Sequence, residues 1–323
     1  MIKYNFQITG LGYHLPPKIE TAEQLSKKIN KTPEWIISRA GVSERRVSDI
    51  DVDKMGAIAA KNAIGKKSPP DLIINASGVP KQTIPDTSVF MQKELGYEGI
   101  PSFSIHSTCL SFIVAINVAG SLIHNKSYKN ILIISSDRGT KGRNLNDPES
   151  SSLLGDAAAA IYLEHSKDIT QGLIDFEMSS WPKGANLTEV RGGGTNLHPQ
   201  DPITKKEDNL FSMNGSEVFK FSLPKVYNMI LEVLERNNIS QSDIDLLIPH
   251  QASGKGVRAY SKFGGFDENK VMNIVDKTGN CVAASLPLAL AMAYENNLID
   301  KGNTIFLVGT GAGLSIASAI IVL

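Results

Sequence analysis

The chain has 323 residues and no net charge, 33 Lys and Arg being balanced by 33 Asp and Glu, which leaves no long-range field to draw nucleic acid or a membrane surface. Its 41% hydrophobic and 20% charged residues, with 27 Gly and 15 Pro, describe a globular protein and exclude a disordered or fibrous one. No run approaches the roughly 18 apolar residues of a membrane span, the N-terminal MIKYNFQITG lacks a signal-peptide core, and two cysteines without zinc-like Cys/His spacing form neither a disulfide framework nor a metal site.

A soluble, cytoplasmic protein with no metal is therefore expected. In chain order, β-branched runs predict strands at 71–76, 131–136, 157–163, 245–249, 304–308 and 315–322, and longer periodic stretches predict helices at 110–124, 216–236 and 283–297. Strands alternating with helices indicate an α/β layered fold with buried sheets. The polar, Gly- and Pro-containing stretch 181–210 reads as a long surface excursion.

The chain also repeats itself. DLIINASG at Asp71–Gly78 returns as DLLIPHQASG at Asp245–Gly254, and KNILIISSDRG at Lys129–Gly139 returns as GNTIFLVGTG at Gly302–Gly311. The offsets are 174 and 173 residues, and a small-residue helix precedes the second strand of each pair. Such a period describes a duplicated half-domain rather than a solenoid, with the halves set at 1–168 and 169–323.

Adding the offset of 173 to Cys109 reaches position 282, beside Asn280 and Cys281. In both halves a polar or reactive residue thus stands where a strand-like segment enters a small-residue helix. A cysteine at a helix N-terminus feels unpaired backbone N–H groups, which favour the thiolate; an inert buried thiol fits the local sequence equally well. His250 follows a strand directly, where a rigid support presents side chains. Asn280 suits a helix N-cap and can also aim an amide N–H into a site. Cys281 reads as a packing residue.

With Cys109, His250 and Asn280 in that order, the chain resembles the β-ketoacyl-[acyl carrier protein] synthase III family of thiolase-fold condensing enzymes. TPEWIISRAGVSERRV at 32–47 is similar to the family's W-I-x-x-R-x-G-I-x-x-R-R, and NGSEVFKFSL at 214–223 to its G-x-E-V-F-K. HQAS and GNCVAAS resemble H-Q-A-N and G-N-T-S-A-A-S. The resemblance runs along most of the chain and implies two duplicated βαβαβ-type halves in a layered αβαβα arrangement. It also implies a decarboxylative Claisen condensation, as in initiation of fatty-acid synthesis. Cys109 would carry the acyl group, with coenzyme A leaving, and His250 and Asn280 would hold the thioester oxygen of malonyl-acyl carrier protein. Backbone N–H groups of Cys109 and Ala312 would form the oxyanion hole.

Matching positions imply Trp35 and Arg39 for coenzyme A, and Lys220, Lys255 and Lys262 for carrier-protein docking. They also imply Ile84 as a cap on the partner subunit's acyl pocket in a homodimer. No cofactor is implied, since the coenzyme A and carrier-protein thioesters are substrates.

The sequence departs from the family pattern at Ser253, at Cys281-Val282, at Ala312, and in 147–156, which is short and lacks the second coenzyme A arginine. These departures suit a specialised relative with a longer or carrier-bound acyl donor. A thiolase would need a second cysteine in the last glycine loop, where Thr310 and Ala312 stand, and relatives with two histidines would need His at 280. A chalcone-synthase-like enzyme is longer and usually has a proline in that loop. A dinucleotide site at Gly309–Gly313 would need a following helix and strand, and only ten residues remain. A non-catalytic carrier-protein partner on the same scaffold would lack one of the three site residues.

Overall fold

The computed structural model describes residues 1–323. Ten strands form two five-stranded sheets. They are β1 (Tyr4–Asn5), β2 (Gln7–His14), β3 (Leu72–Asn75), β4 (Ser102–Ser104), β5 (Asn130–Arg138), β6 (Asp156–Glu164), β7 (Gly172–Ser180), β8 (Leu246–Pro249), β9 (Thr304–Gly311) and β10 (Ser315–Val322). The orders are β2-β6-β5-β3-β4 and β1-β7-β10-β9-β8. In each, a parallel pair, β3 with β5 or β8 with β9, continues antiparallel into a long partner, β6 or β10. β1 crosses over, so the second sheet borrows a strand from the start of the chain.

Five helices matter for the site: α1 (Val52–Ile64), α2 (Ser111–His124), α3 (Gly215–Arg236), α4 (Gly254–Gly264) and α5 (Ser285–Glu295). Side chains alternate across a strand, and here the alternation separates three cores. Leu72 and Ile74 of β3 and Leu246 and Ile248 of β8 face a central core shared with Phe112 of α2 and Leu286 of α5. Ile73 faces outward to Met55 of α1, while Leu247 faces Val226 and Ile230 of α3. The layers therefore run α1, sheet, α2 with α5, sheet, α3. Both central helices carry almost continuous apolar sequence because they are covered on two sides.

Hydrogen bonds around the parallel strand pairs and the helix starts of the two halves repeat at an offset of 174. Ala76 N–H donates to the Ile134 carbonyl at 2.7 Å, and His250 N–H to the Val308 carbonyl at 2.8 Å. Ser107 N–H donates to Ser111 Oγ at 2.9 Å, and Cys281 N–H to Ser285 Oγ at 3.0 Å. This corrects the expected alignment: the counterpart of Cys109 is Ala283, that of Asn280 is His106, and that of His250 is Ala76. The 181–210 excursion contains a 3₁₀ segment at Pro182–Leu187 and a short strand, Thr188–Glu189, which pairs with Ser212–Met213 just beyond it. No helix is long and apolar enough to cross a membrane.

Candidate active site

Cys109 sits in the 3₁₀ turn Thr108–Leu110, which leads into α2. Ser111 ties the turn down, its hydroxyl donating to the Thr108 carbonyl at 2.7 Å while accepting from Ser107 N–H. Thr108 holds φ at 49°, a left-handed conformation that a β-branched residue rarely adopts. The turn is thereby driven against β9: a Cβ placed on Gly311 would lie 2.7 Å from Thr108 Oγ1, and one on Gly309 3.3 Å from Leu110 Cδ2. Only glycine admits this approach.

The thiol is not a ready thiolate. Burial, reinforced by the Asp137 carboxylate, pushes its pKa up to about 12, and only the Cys109 N–H pulls the other way. The lowering expected at a helix N-terminus does not prevail, because burial and the Asp137 charge keep the proton on the thiol.

Asp137, at the end of β5, is fully buried. Its carboxylate accepts from Gly78 N–H at 2.9 Å and Val79 N–H at 3.0 Å in one half, and from Ala284 N–H at 3.2 Å in the other. Burial raises its pKa to about 7 despite these donors. It is the polar joint between the two halves, and the sequence reading missed it; a polar residue closing an apolar strand was its only signal.

His250 leaves β8 with its N–H on Val308, and its carbonyl accepts from Ala252 N–H at 2.8 Å. The ring is buried and its Nδ1 has no partner. Burial alone lowers its pKa to about 4, so the imidazole is neutral at pH 7. Its Cβ lies 2.7 Å from where a Cβ on Gly309 would stand, against the same glycine that Leu110 touches. Asn280 accepts Val282 N–H on Oδ1 at 2.8 Å and directs Nδ2 toward the Ala252 carbonyl at 3.5 Å. Its carbonyl oxygen is thus engaged locally while the long Nδ2 contact leaves donor capacity free.

One cavity of about 520 Å³ joins several predicted residues: His250, Asn280, Arg39, Lys220 and Lys255 all line it. Cys109 does not line it, although its neighbour Leu110 packs against Gly309 beside His250. Trp35 lies outside, on a separate surface depression with Lys31, and Arg39 links the two places, 6.0 Å from the Trp35 ring and 3.9 Å from Glu149. Lys262 is exposed, its Nζ 5.3 Å from the ring of Phe263, which lines the cavity. Ile84 is 80% exposed. Ala312 lies in the turn after β9; neither its N–H nor that of Cys109 donates to another group of the protein. Cys281 is buried, its thiol 3.5 Å from the Thr278 carbonyl.

The family model of 3-oxoacyl-[acyl-carrier-protein (ACP)] synthase III matches residues 103–182, and that of its C-terminal part matches 234–323. A β-ketoacyl-[acyl-carrier-protein] synthase III of Rickettsia bellii is 32% identical over 321 residues, covering 98% of both chains. The chain belongs to the β-ketoacyl-[acyl-carrier-protein] synthase III family. A Clostridioides difficile member is also 32% identical, over 97% of each chain. The crystal structure of the 3-oxoacyl-[acyl-carrier-protein] synthase III of Aquifex aeolicus superposes with a TM-score of 0.89 at 28% identity, over 98% of this chain and all of that one. The thiolase-like fold of the family is the layered arrangement described above.

Proposed function

We propose that the chain catalyses the decarboxylative condensation of an acyl thioester with malonyl-acyl carrier protein to give a β-ketoacyl thioester. The observation that carries this reading is the pair of neutral donors, His250 and Asn280, at one cavity, with the Cys109 turn packed behind the same glycine of β9. In the first step Cys109 loses its proton, its sulfur bonds the acyl carbon, and coenzyme A leaves as the thiol. In the second, His250 and Asn280 donate to the malonyl thioester oxygen while the carboxylate departs as carbon dioxide, and the electron pair it leaves forms an enolate. The enolate carbon then bonds the acyl carbon on Cys109 and expels the sulfur. Unengaged N–H groups of Cys109 and Ala312 are suited to the tetrahedral oxyanion.

Neutral donors suit this chemistry. A neutral imidazole can still donate to the thioester oxygen, where the charge arrives in the enolate, and it forms no ion pair with the starting carboxylate. Arg39 and Trp35 are assigned to coenzyme A, the guanidinium to phosphate and the ring to the base. Lys220, Lys255 and Lys262 are assigned to the acidic carrier protein. The working form is read as a cytoplasmic homodimer in which Ile84 covers the partner's acyl pocket, with the halves divided at 168/169. The alternative is a specialised relative using a longer or carrier-bound acyl group, and the apolar residues Val226, Ile230, Ala259 and Phe263 in the cavity lining support it.

Incubation with acyl-coenzyme A and malonyl-acyl carrier protein, read by intact mass, tests the function. The expected result is an acyl adduct on the Cys109 peptide and β-ketoacyl-carrier protein in solution. Absence of both with every acyl length and carrier overturns it.

A further inference from the structure

The largest fully buried side chain of the molecule is charged: it is that of Arg45. Arg45 lies in a short antiparallel ribbon, Glu44–Arg46 against Ile19–Thr21, directly opposite Glu20. Burial lowers its pKa to about 10, which still leaves the guanidinium charged at pH 7. That guanidinium makes one hydrogen bond. Its Nη1 donates to the Ser152 carbonyl at 2.8 Å, while Nε and Nη2 have no partner. Glu20 gives its oxygens to Lys28, at 2.5 Å, and to Arg143 instead. A buried cation so sparsely paired is a weak stabilising element, and an apolar side chain of similar volume often serves a fold as well or better. Stability therefore does not account for Arg45, and the one bond it makes leads elsewhere.

Ser152 opens the segment on which Asn280 rests. Asn280 N–H donates to the Leu153 carbonyl at 2.8 Å, and Gly155 N–H donates to the Asn280 carbonyl at 3.0 Å. The two stretches are pressed together: a Cβ on Gly155 would lie 2.0 Å from the Thr278 carbonyl oxygen, and one on Gly279 2.7 Å from that of Leu153. The buried hydroxyls of Ser150, Ser151 and Ser152 do not fasten the segment to its surroundings, because each bonds back to Asp147 or Pro148. The Arg45 guanidinium does fasten it. Two residues earlier, Ser43 takes the other flank, its N–H donating to the Asp276 carbonyl at 2.9 Å. Residues 43–45 thus grip the chain on both sides of Asn280, which lines the catalytic cavity.

We propose that Arg45 is a positioning residue for decarboxylation: its guanidinium holds the Ser152 carbonyl, so that Leu153 and Gly155 fix the place of the Asn280 amide. The inference rests on the function proposed above and deepens it, adding a buried residue that does not itself line the cavity. A reacting group misplaced by about 1 Å loses on the order of 10²-fold in rate, so even the small shift of an unheld segment registers.

In the full chain carrying Arg45→Met, malonyl decarboxylation should slow by about 10- to 100-fold, while acylation of Cys109 changes by less than about threefold. Arg45→Lys, which offers an N–H to the same carbonyl, should lose only about two- to fivefold, with the same selectivity. In an Asn280→Ala chain, adding Arg45→Met should slow decarboxylation by less than about twofold further, because the amide it places is gone. Amide exchange read by mass spectrometry should quicken over 152–156 and 278–284 in both Arg45 variants and stay unchanged over 105–112. Arg236→Met, which breaks the ion pairs with Asp175 and Glu177 on β7, is the control for general loosening and should show no such split.

Equal loss of acylation and decarboxylation would overturn the proposal, as would an Arg45→Met effect that adds in full to Asn280→Ala, or exchange that quickens alike in all three regions. Arg45 would then serve the scaffold alone. Melting curves show which variants are folded at the assay temperature, and Arg45→Lys carries the same readouts if Arg45→Met is not. Failure of the unsubstituted chain to decarboxylate malonyl-acyl carrier protein would remove the proposed function, and exchange over 278–284 would then decide by itself whether Arg45 holds Asn280.

Discussion

The two halves of the molecule share a backbone and divide the chemistry. At matched hydrogen-bonded positions the N-terminal half places Cys109 where the C-terminal half has Ala283, and the C-terminal half places His250 and Asn280 where the other has Ala76 and His106. The contacts across the joint are reciprocal. Thr108, at φ 49°, presses its Oγ1 on Gly311 of the other half, and Val282, at φ 52°, presses its Cγ1 on Gly78 of the first. A symmetrical frame therefore carries an asymmetrical site. The duplication supplies two strained turns facing each other, and a few side chains decide which holds a nucleophile and which holds donors.

The sharpest break of this comparison moves the sulfur. Cys109→Ala should abolish the acyl-enzyme and lower condensation by a factor on the order of 10⁴ or more. Adding Ala283→Cys should restore neither, because position 283 is fully buried and the donors stand on its own side of the joint. Intact-mass measurement of both variants decides this; recovery of an adduct at position 283 would mean that the halves are chemically interchangeable.

Removing the donors comes next. His250→Ala and Asn280→Ala should each slow malonyl decarboxylation by roughly 10²–10³ while leaving acylation of Cys109 at least partly intact. Release of carbon dioxide and the acyl mass shift are followed in parallel. Equal loss of both steps in all three single variants would mean that the halves do not divide the labour.

Much of this division was legible in the sequence. The strand at 245–249, the small-residue helices and the order Cys, His, Asn are local patterns, and the layered fold follows from them. The alignment of the halves was not fully legible. Strand offsets of 174 and 173 leave one residue of ambiguity, and only paired bonds such as those of Ser111 and Ser285 show that Ala283 stands opposite Cys109. β2 and β7 escaped because most of their residues are only half buried, which blurs an apolar run. The thiol's high pKa also escaped, since it comes first from burial and then from the charge of Asp137, and only the fold creates either.

That pKa gives a third test. With the thiol pushed up to about 12, the thiolate fraction and the acylation rate should climb from about pH 6 to 9, with a shallower slope just above pH 7, where Asp137 ionises and holds the thiol's proton more tightly. His250, neutral above about pH 4, adds no inflection in that window. Asp137→Asn removes the buried negative charge, lowers the thiol's pKa, and should raise acylation at fixed pH on the order of tenfold per folded molecule. The same change sets an amide N–H₂ against backbone donors, costing about 1–3 kcal/mol of stability. Stopped-flow acylation across pH, with a melting curve for the variant, measures both; an unbroken tenfold rise per pH unit through pH 7 to 8, with no rate gain in Asp137→Asn, would refute an influence of Asp137.

The smallest effect separates the two strained turns. Thr108 and Val282 occupy left-handed backbone at equivalent positions, a strain of order 1–3 kcal/mol for a β-branched residue. Glycine relieves it but adds unfolded-state entropy of about 0.5–1 kcal/mol. Val282→Gly also removes the Cγ1 contact with Gly78, so its stability should change by no more than about 1 kcal/mol, measured by denaturant titration. Thr108→Gly has the same backbone arithmetic, yet it loosens the turn that carries the nucleophile against Gly311. Acylation should therefore fall several-fold in Thr108→Gly, and by a clearly smaller factor in Val282→Gly. Equal kinetic effects at the two positions would show that strain serves the scaffold alone, with no share in aiming the sulfur.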